Sequence, residues 1–172
     1  VIDTSSAYRM DSDVPLVIPE VNGAVLDRLG AAPRLVANPN CSTILLLMAL
    51  TPLQRAFGCG RIIVSTYQAV SGAGSQAMDA LRRQSREMLD GEPVSSDCFD
   101  EPCAFNVFSH DSPVDEMTGR NEEEQKMLQE TKRIWETDVL VSATCVRVPV
   151  LRSHTQSIHV ELEATASVEA VR

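Results

Sequence analysis

Basic residues are in deficit in this 172-residue chain: 15 Lys and Arg stand against 24 Asp and Glu, a net charge of -9. A domain that grips a phosphate backbone usually presents a basic face, so nucleic acid is not an expected partner. The deficit does not exclude small anions, which a few well-placed cations bind inside an acidic whole. Long apolar runs are missing too. The longest, Ile44 to Leu50, falls far short of the roughly 20 residues that span a bilayer. No signal-peptide pattern opens the chain, so a soluble protein with no membrane partner is expected. The five cysteines (Cys41, Cys59, Cys98, Cys103, Cys145) are odd in number, lack CxxC spacing and have no histidine pair beside them. Neither a disulfide framework nor a metal site is expected, and reduced thiols in an intracellular compartment are the default. Internal repeats and low-complexity segments are absent, and no glycine precedes Gly23.

What remains is ordinary globular material, 44% hydrophobic and 23% charged. The length suits one domain with a core and a fragment of a second. Val1-Ile2-Asp3 reads as the end of a buried strand, which makes the chain an expected piece of something longer. Turn-rich chain to Asn22, a short helix over Ala24 to Leu29 and a short strand over Arg34 to Ala37 follow. Asn40 is a candidate N-cap for a helix through the apolar stretch to Leu53, ending near Gly58. Arg61 to Tyr67 is β-branched and aromatic, hence a strand. The Ser71-Gly72-Ala73-Gly74 break precedes a helix over Ser75 to Leu89, stopped by Gly91. Residues 92–102 read as loop, Ala104 to Phe108 as strand and Asn121 to Trp135 as helix. That helix has an acidic first turn, with Met127, Leu128, Thr131, Ile134 and Trp135 on one side. Val139 to Val150 is a long strand, and the alternation Ile158, Val160, Leu162, Ala164 marks another with one wet face. Strands and helices mix without strict βαβ alternation, so the expected class is α+β: a mixed, largely antiparallel sheet with helices packed on one face.

Cys41 follows an N-capping Asn, where unpaired backbone N–H groups and the helix dipole favour negative charge. Such a placement makes a thiolate available as a nucleophile, and the same N–H groups could hold an oxyanion. The alternative is a small buried residue starting a core helix. A nucleophilic thiol needs a proton-moving partner. His159 lies on the polar face of an alternating strand and reads as solvated, and His110 reads as an exposed loop residue. His154, at the break between two strands, is the candidate base by elimination. Arg147 sits in a nearly apolar strand and must be paired, either by an internal carboxylate or by the carboxylate of a ligand. Glu123 and Lys126 share a helix face, which alone indicates no more than a surface ion pair. The bare backbone at Gly72 would allow close approach of a cofactor.

Four segments occur in a telling order: Asn38-Pro39-Asn40-Cys41-Ser42-Thr43, Ser65 to Gly74, Ala104-Phe105-Asn106-Val107, and Thr144 to His154. Together they resemble the aspartate-semialdehyde dehydrogenase family, from Val1 to about Glu163. The resemblance implies a fold like the C-terminal catalytic domain of glyceraldehyde-3-phosphate-dehydrogenase-like enzymes. It implies reduction of aspartyl 4-phosphate by NADPH to aspartate 4-semialdehyde, with release of phosphate, in lysine, threonine and methionine biosynthesis. Cys41 would carry the acyl group as a thioester and His154 would be the general acid/base. Gln68 would orient the substrate, with Arg147 on its α-carboxylate and Glu123 on its amino group. Arg9 and Lys126 would bind phosphate, Ser71 and Gly72 would lie against NADP, and Asn40 would support the oxyanion. Residues 1–38 would be the end of a dinucleotide-binding domain with its connector, and residues 39–172 a catalytic and dimerisation domain. A homodimer, or a tetramer built from it, is implied, in a bacterial cytoplasm or a plastid.

The chain departs from the family pattern at both ends. The glycine-rich dinucleotide fingerprint and the C-terminal return helix are not seen, so most of the NADP site is expected to lie outside this sequence, leaving little dehydrogenase activity. Three rivals compete with this reading. N-acetyl-glutamyl-phosphate reductase shares the thioester logic but has no use for Glu123 on a free amine. A cofactor-independent cysteine hydrolase leaves Arg9 and Lys126 unexplained. A pure oligomerisation module is the third.

Overall fold

The computed structural model describes residues 1–28 and 34–172. In chain order its elements are β1 (Ile2–Asp3), α1 (Pro19–Asn22), α2 (Ala24–Arg28), β2 (Val36–Ala37), α3 (Cys41–Phe57) and β3 (Cys59–Gln68). A 3-10 turn (Val70–Ala73), α4 (Ser75–Asp90), β4 (Phe108–Ser109), α5 (Glu122–Trp135), β5 (Leu140–Arg147), β6 (Thr155–Leu162) and α6 (Val168–Val171) complete the chain. Leu29, expected to end α2, lies outside the described residues. Among the described residues no helix is long and apolar enough to cross a membrane.

The main sheet has the order β4-β5-β3-β6, and a parallel pair β1-β2 stands apart from it. β4 runs antiparallel to β5, with Phe108 opposite Arg147. Just beyond the strand ends, Val148 N–H donates to Gln68 O (3.0 Å) and Glu163 N–H donates to Gly58 O (3.1 Å). These bonds set β3 parallel to β5 and antiparallel to β6. The sheet is therefore mixed and mainly antiparallel, as the sequence predicts for an α+β chain.

The helices form where capping chemistry allows. Asn40 accepts from Ser42 and Thr43 N–H at the start of α3, and the chain leaves that helix at Gly58. Gly91, at φ 72°, closes α4 in the left-handed conformation that glycine adopts without a Cβ penalty. At α5 the cap is reciprocal: Glu124 N–H donates to Asn121 Oδ1 (2.9 Å) and Asn121 N–H donates back to Glu124 Oε2 (3.0 Å). Pro19 at the first position of α1 supplies a preset φ and lacks only an N–H that would be orphaned anyway. That four-residue helix was not expected from the sequence.

Two further expectations need correction. The strand expected over Ala104 to Phe108 is reduced to Phe108–Ser109. Phe105 has φ 53°, and Asn106 bonds locally, Nδ2 to Pro102 O (3.1 Å) and Oδ1 from Val107 N–H (2.9 Å). A side chain that satisfies its neighbouring backbone in this way competes with a strand ladder. The long strand to Val150 stops at Arg147, because Pro149 cannot donate to a ladder and Val150 N–H turns back to Val148 O (2.8 Å).

The chain forms two compact units. One comprises Val1–Ile63, Gln125–Ser142 and Ile158–Arg172, and its core gathers Val14, Leu16, Ile18, Ala37, Leu47 and Ile134. Packing is continuous across residue 38, since α1 and residues 14–18 cluster with α3. The other comprises Val64–Glu124 and Ala143–Ser157, around Val70, Ala77, Leu81, Phe99, Cys103 and Ala104.

Candidate active site

In the first unit, the Asn40 cap fixes where Cys41 stands. Asn40 is buried, its Oδ1 accepts from Ser42 N–H (2.9 Å) and Thr43 N–H (3.2 Å), and its carbonyl accepts from Ile44 N–H (2.9 Å). Cys41 is thus the first residue of a 17-residue helix and exposed to solvent, as the nucleophile reading requires. Of the other thiols, Cys98 is half-buried and Cys59, Cys103 and Cys145 are buried, and burial pushes Cys59 and Cys103 up from the ordinary thiol range. Arg9 is also buried here. Its Nη1 donates to Glu130 Oε1 (3.1 Å) and its Nη2 to Thr4 O (3.1 Å), while its buried Nε meets no partner among the described residues. The second oxygen of Glu130 accepts from Asn40 N–H at 2.6 Å. Lys126 is half-buried on α5.

In the second unit, β3 delivers Gln68 and the loop between β5 and β6 delivers His154. Gln68 is buried, and its Nε2 donates to Glu123 Oε1 (3.1 Å) and Thr66 Oγ1 (3.3 Å). Glu123 is therefore no surface ion-pair residue; it is 4% exposed. Ser153, at φ 75°, turns the chain so that the His154 ring meets the backbone of Ala69, whose N–H donates to Nδ1 (3.0 Å). An amide N–H can only donate, so Nδ1 accepts and the neutral ring carries its proton on Nε2. Burial lowers the His154 pKa, the Arg147 charge lowers it further, and Glu123 only partly opposes them. At neutral pH the ring is an uncharged Nε2–H donor.

Arg147 closes β5 almost wholly buried, and an internal carboxylate, that of Asp111, pairs with it while its Nε meets no partner among the described residues. Nη2 donates to Asp111 Oδ1 (2.5 Å) and lies 3.3 Å from His110 Nε2, Nη1 donates to Ala69 O (3.2 Å), and the guanidinium stands 5.2 Å from the Phe99 ring centroid. Burial opposes the charge of Asp111, yet the Arg147 hydrogen bond and charge outweigh it and hold this carboxyl below its ordinary range. His110 needs correction: its side chain is 14% exposed, because β4 pairs with β5 and carries it to Arg147. His159 is exposed, as read.

Gly72 is exposed in the 3-10 turn, and an added Cβ would meet His154 Cε1 and Nε2 at 3.2 Å and Arg147 Nη1 at 3.7 Å. Its bare α-carbon leaves room beside the His154 ring edge, which fits close approach by a flat group. Ser71 adjoins it, half-buried.

Sequence reasoning missed Glu130, Asp111 and Phe99. For Glu130 a signal existed: Glu123, Met127, Glu130, Thr131 and Ile134 are the buried face of α5, so a carboxylate occupies a core position at helical spacing. Asp111 had none, since its partner lies 36 residues away.

Comparison with known proteins places these residues in a family. Residues 50–172 match the semialdehyde dehydrogenase dimerisation domain, and residues 1–29 match the semialdehyde dehydrogenase NAD-binding domain. The aspartate-semialdehyde dehydrogenase of Prochlorococcus marinus is 45% identical over 174 residues, covering 100% of this chain and 49% of the relative. A crystal structure of aspartate semialdehyde dehydrogenase II from Vibrio cholerae superposes with a TM-score of 0.94 at 42% identity, covering 99% of this chain and 51% of that one. A structure of that enzyme complexed with ASA superposes equally well, at 0.94 and 41% identity, with the same coverage. The Candida albicans enzyme with NADP aligns at a TM-score of 0.70 and 27% identity, covering 99% of this chain and 46% of that one. The chain thus spans about half the length of the relatives it matches. With a matching domain covering most of its residues, the chain belongs to the semialdehyde dehydrogenase family.

Proposed function

We propose that the chain carries the acyl-transfer residues of an aspartate-semialdehyde dehydrogenase, which turns aspartyl 4-phosphate into aspartate 4-semialdehyde and phosphate. The observation that carries this reading is the exposed Cys41 thiol at the first turn of a capped 17-residue helix, where the dipole favours a thiolate. The thiolate sulfur attacks the acyl-phosphate carbon, the carbon–oxygen bond to phosphate breaks, and phosphate leaves with the electron pair. Arg9 and Lys126 neutralise the departing dianion; Arg147 holds the substrate carboxylate, Glu123 its amino group, and Gln68 orients it. When bound, NADP in its reduced form supplies the hydride that reduces the thioester carbon; the carbon–sulfur bond then breaks and Cys41 returns as thiolate. His154 serves the acid side of this chemistry. Its Nε2–H can donate to the oxyanion on the acyl oxygen, whereas Nδ1 is occupied by Ala69 N–H. Asn40 supports the oxyanion by holding the first turn of α3.

The cofactor is proposed as NADP, with Ser71 and Gly72 against it; the room beside Gly72 supports that assignment. Residues 1–38 as the end of a dinucleotide domain and 39–172 as a catalytic and dimerisation domain is the proposed division. It is supported by the family matches over 1–29 and 50–172. A homodimer in the cytoplasm, binding a small-molecule substrate, completes the proposal.

The test is a rapid-mix assay with aspartyl phosphate and no dinucleotide. About one equivalent of phosphate should be released per chain as the thioester forms, with the acyl group mapped to Cys41 by peptide mass. Release that continues catalytically, or acylation of another residue, would refute the reading.

A further inference from the structure

Glu130 belongs to no role assigned above, and its surroundings are unusual. It is 1% exposed, on the core face of α5 between Met127 and Ile134. An apolar side chain there would bury without desolvating a charge. Burial indeed pushes the Glu130 carboxyl up from its ordinary range, and the contacts from Asn40 N–H and Arg9 only partly offset it. Both of its oxygens are committed. Oε1 accepts from Arg9 Nη1 at 3.1 Å and Oε2 from the backbone N–H of Asn40 at 2.6 Å. Arg9 and Asn40 lie 31 positions apart in sequence; Arg9 Nη2 donates to Thr4 O, and Asn40 Oδ1 accepts from the first turn of α3.

One carboxylate therefore ties a buried guanidinium to the residue that caps the Cys41 helix. The guanidinium is rigid and planar, so Glu130 on Nη1 and Thr4 O on Nη2 together fix its plane and with it the direction of the unpartnered Nε of Arg9. A short bond to Asn40 N–H does the same for the cap, because a displaced Asn40 would leave a buried N–H unsatisfied.

We infer that Glu130 is a positioning residue for the phosphate-releasing half of the reaction, joining the phosphate-binding Arg9 to the turn that presents Cys41. The inference rests on the proposed role of Arg9 and adds the coupling of the two groups through one anchor. Glu130 acts through them and touches no substrate.

The test follows alkylation of Cys41 in the full chain across pH, with and without inorganic phosphate, in the unsubstituted protein and in Glu130→Gln, Glu130→Ala and Glu130→Asp. A thermal melt accompanies each. Glutamine keeps one acceptor for Asn40 N–H but cannot offer a second to Arg9. Glu130→Gln should therefore melt near the unsubstituted chain while needing about tenfold more phosphate to protect Cys41, the scale of one charge-assisted bond. Glu130→Ala should lose that protection and also shift the alkylation midpoint to higher pH, and Glu130→Asp should recover part of both. A folded Glu130→Gln with unchanged phosphate protection overturns the coupling. If Glu130→Gln does not fold, Glu130→Asp decides, and protection unchanged there has the same meaning. Absence of phosphate protection in the unsubstituted chain would instead sink the phosphate role of Arg9. The pH midpoint in Glu130→Ala still judges the Asn40 arm, and no shift in it refutes that arm.

Discussion

Cys41, His154 and Arg147 are each held by identifiable neighbours. Cys41 has the Asn40 cap, His154 has Ala69 N–H, and Arg147 has Asp111. Replacing Cys41 by Ser should abolish the stoichiometric phosphate release from aspartyl phosphate without lowering the melting temperature, because the site is exposed; retained release would remove Cys41 from the mechanism. Gly72→Ala should displace the His154 ring, since the new Cβ would lie 3.2 Å from two ring atoms. Acylation should slow by about tenfold with little change in stability. Lys at Arg147 would keep the charge but lose the fork that serves Ala69 O and Asp111 at once. Binding of the substrate carboxylate should weaken, seen as a higher substrate concentration for half-maximal acylation.

At the scale of elements, α3 carries both the proposed nucleophile and much of a core. Asn40→Ala removes the acceptor for two N–H groups and should cost about 1 kcal/mol in a denaturant melt, while raising the pH at which Cys41 alkylates. Unchanged alkylation would separate the cap from the thiol. Leu47, wholly buried in the cluster with Val14, Leu16 and Ile134, should cost about 2–5 kcal/mol when truncated to Ala. Arg133 in the last turn of α5 ties that helix to the carbonyls of Arg9, Asp11 and Val14. It thereby holds the segment that bears Arg9. Periodicity made α3, α4 and α5 legible, and turn residues made their ends legible. The short strand β4 was not, because Phe105 and Asn106 look extended by composition and only their local bonding shows otherwise.

Across the whole molecule, buried titrating groups set the acid limb of stability. The folded pKa of His154 lies below the ordinary value of about 6.5. As pH falls through that value the unfolded chain takes up a proton that the folded chain refuses, and stability declines until the folded pKa is reached. Asp111, also depressed, contributes stability above about pH 3.9 that is lost as pH falls through its folded value. Glu130 has the opposite sign: its raised pKa gives stability present below about pH 4.3 and lost as pH rises through the folded value. Melts should therefore show declining stability from about pH 7 to 5 that His154→Gln flattens; an unchanged slope in that variant would assign the decline elsewhere.

The sequence by itself determined the α+β class, the helix that starts at Cys41, the chain's acidic character and the family, because capping, periodicity and motif order are local properties of the chain. It singled out Cys41, His154 and Arg147 for the same reason: each residue type is conspicuous in its own segment. Only the tertiary structure decided which carboxylate meets Arg147, that His110 is half-buried, that Nδ1 of His154 is occupied, and that Glu130 joins Arg9 to Asn40. Those contacts link residues 36 to 121 positions apart. Burial then makes them matter, since a charge or polar group removed from water must find its partner wherever the fold brings one.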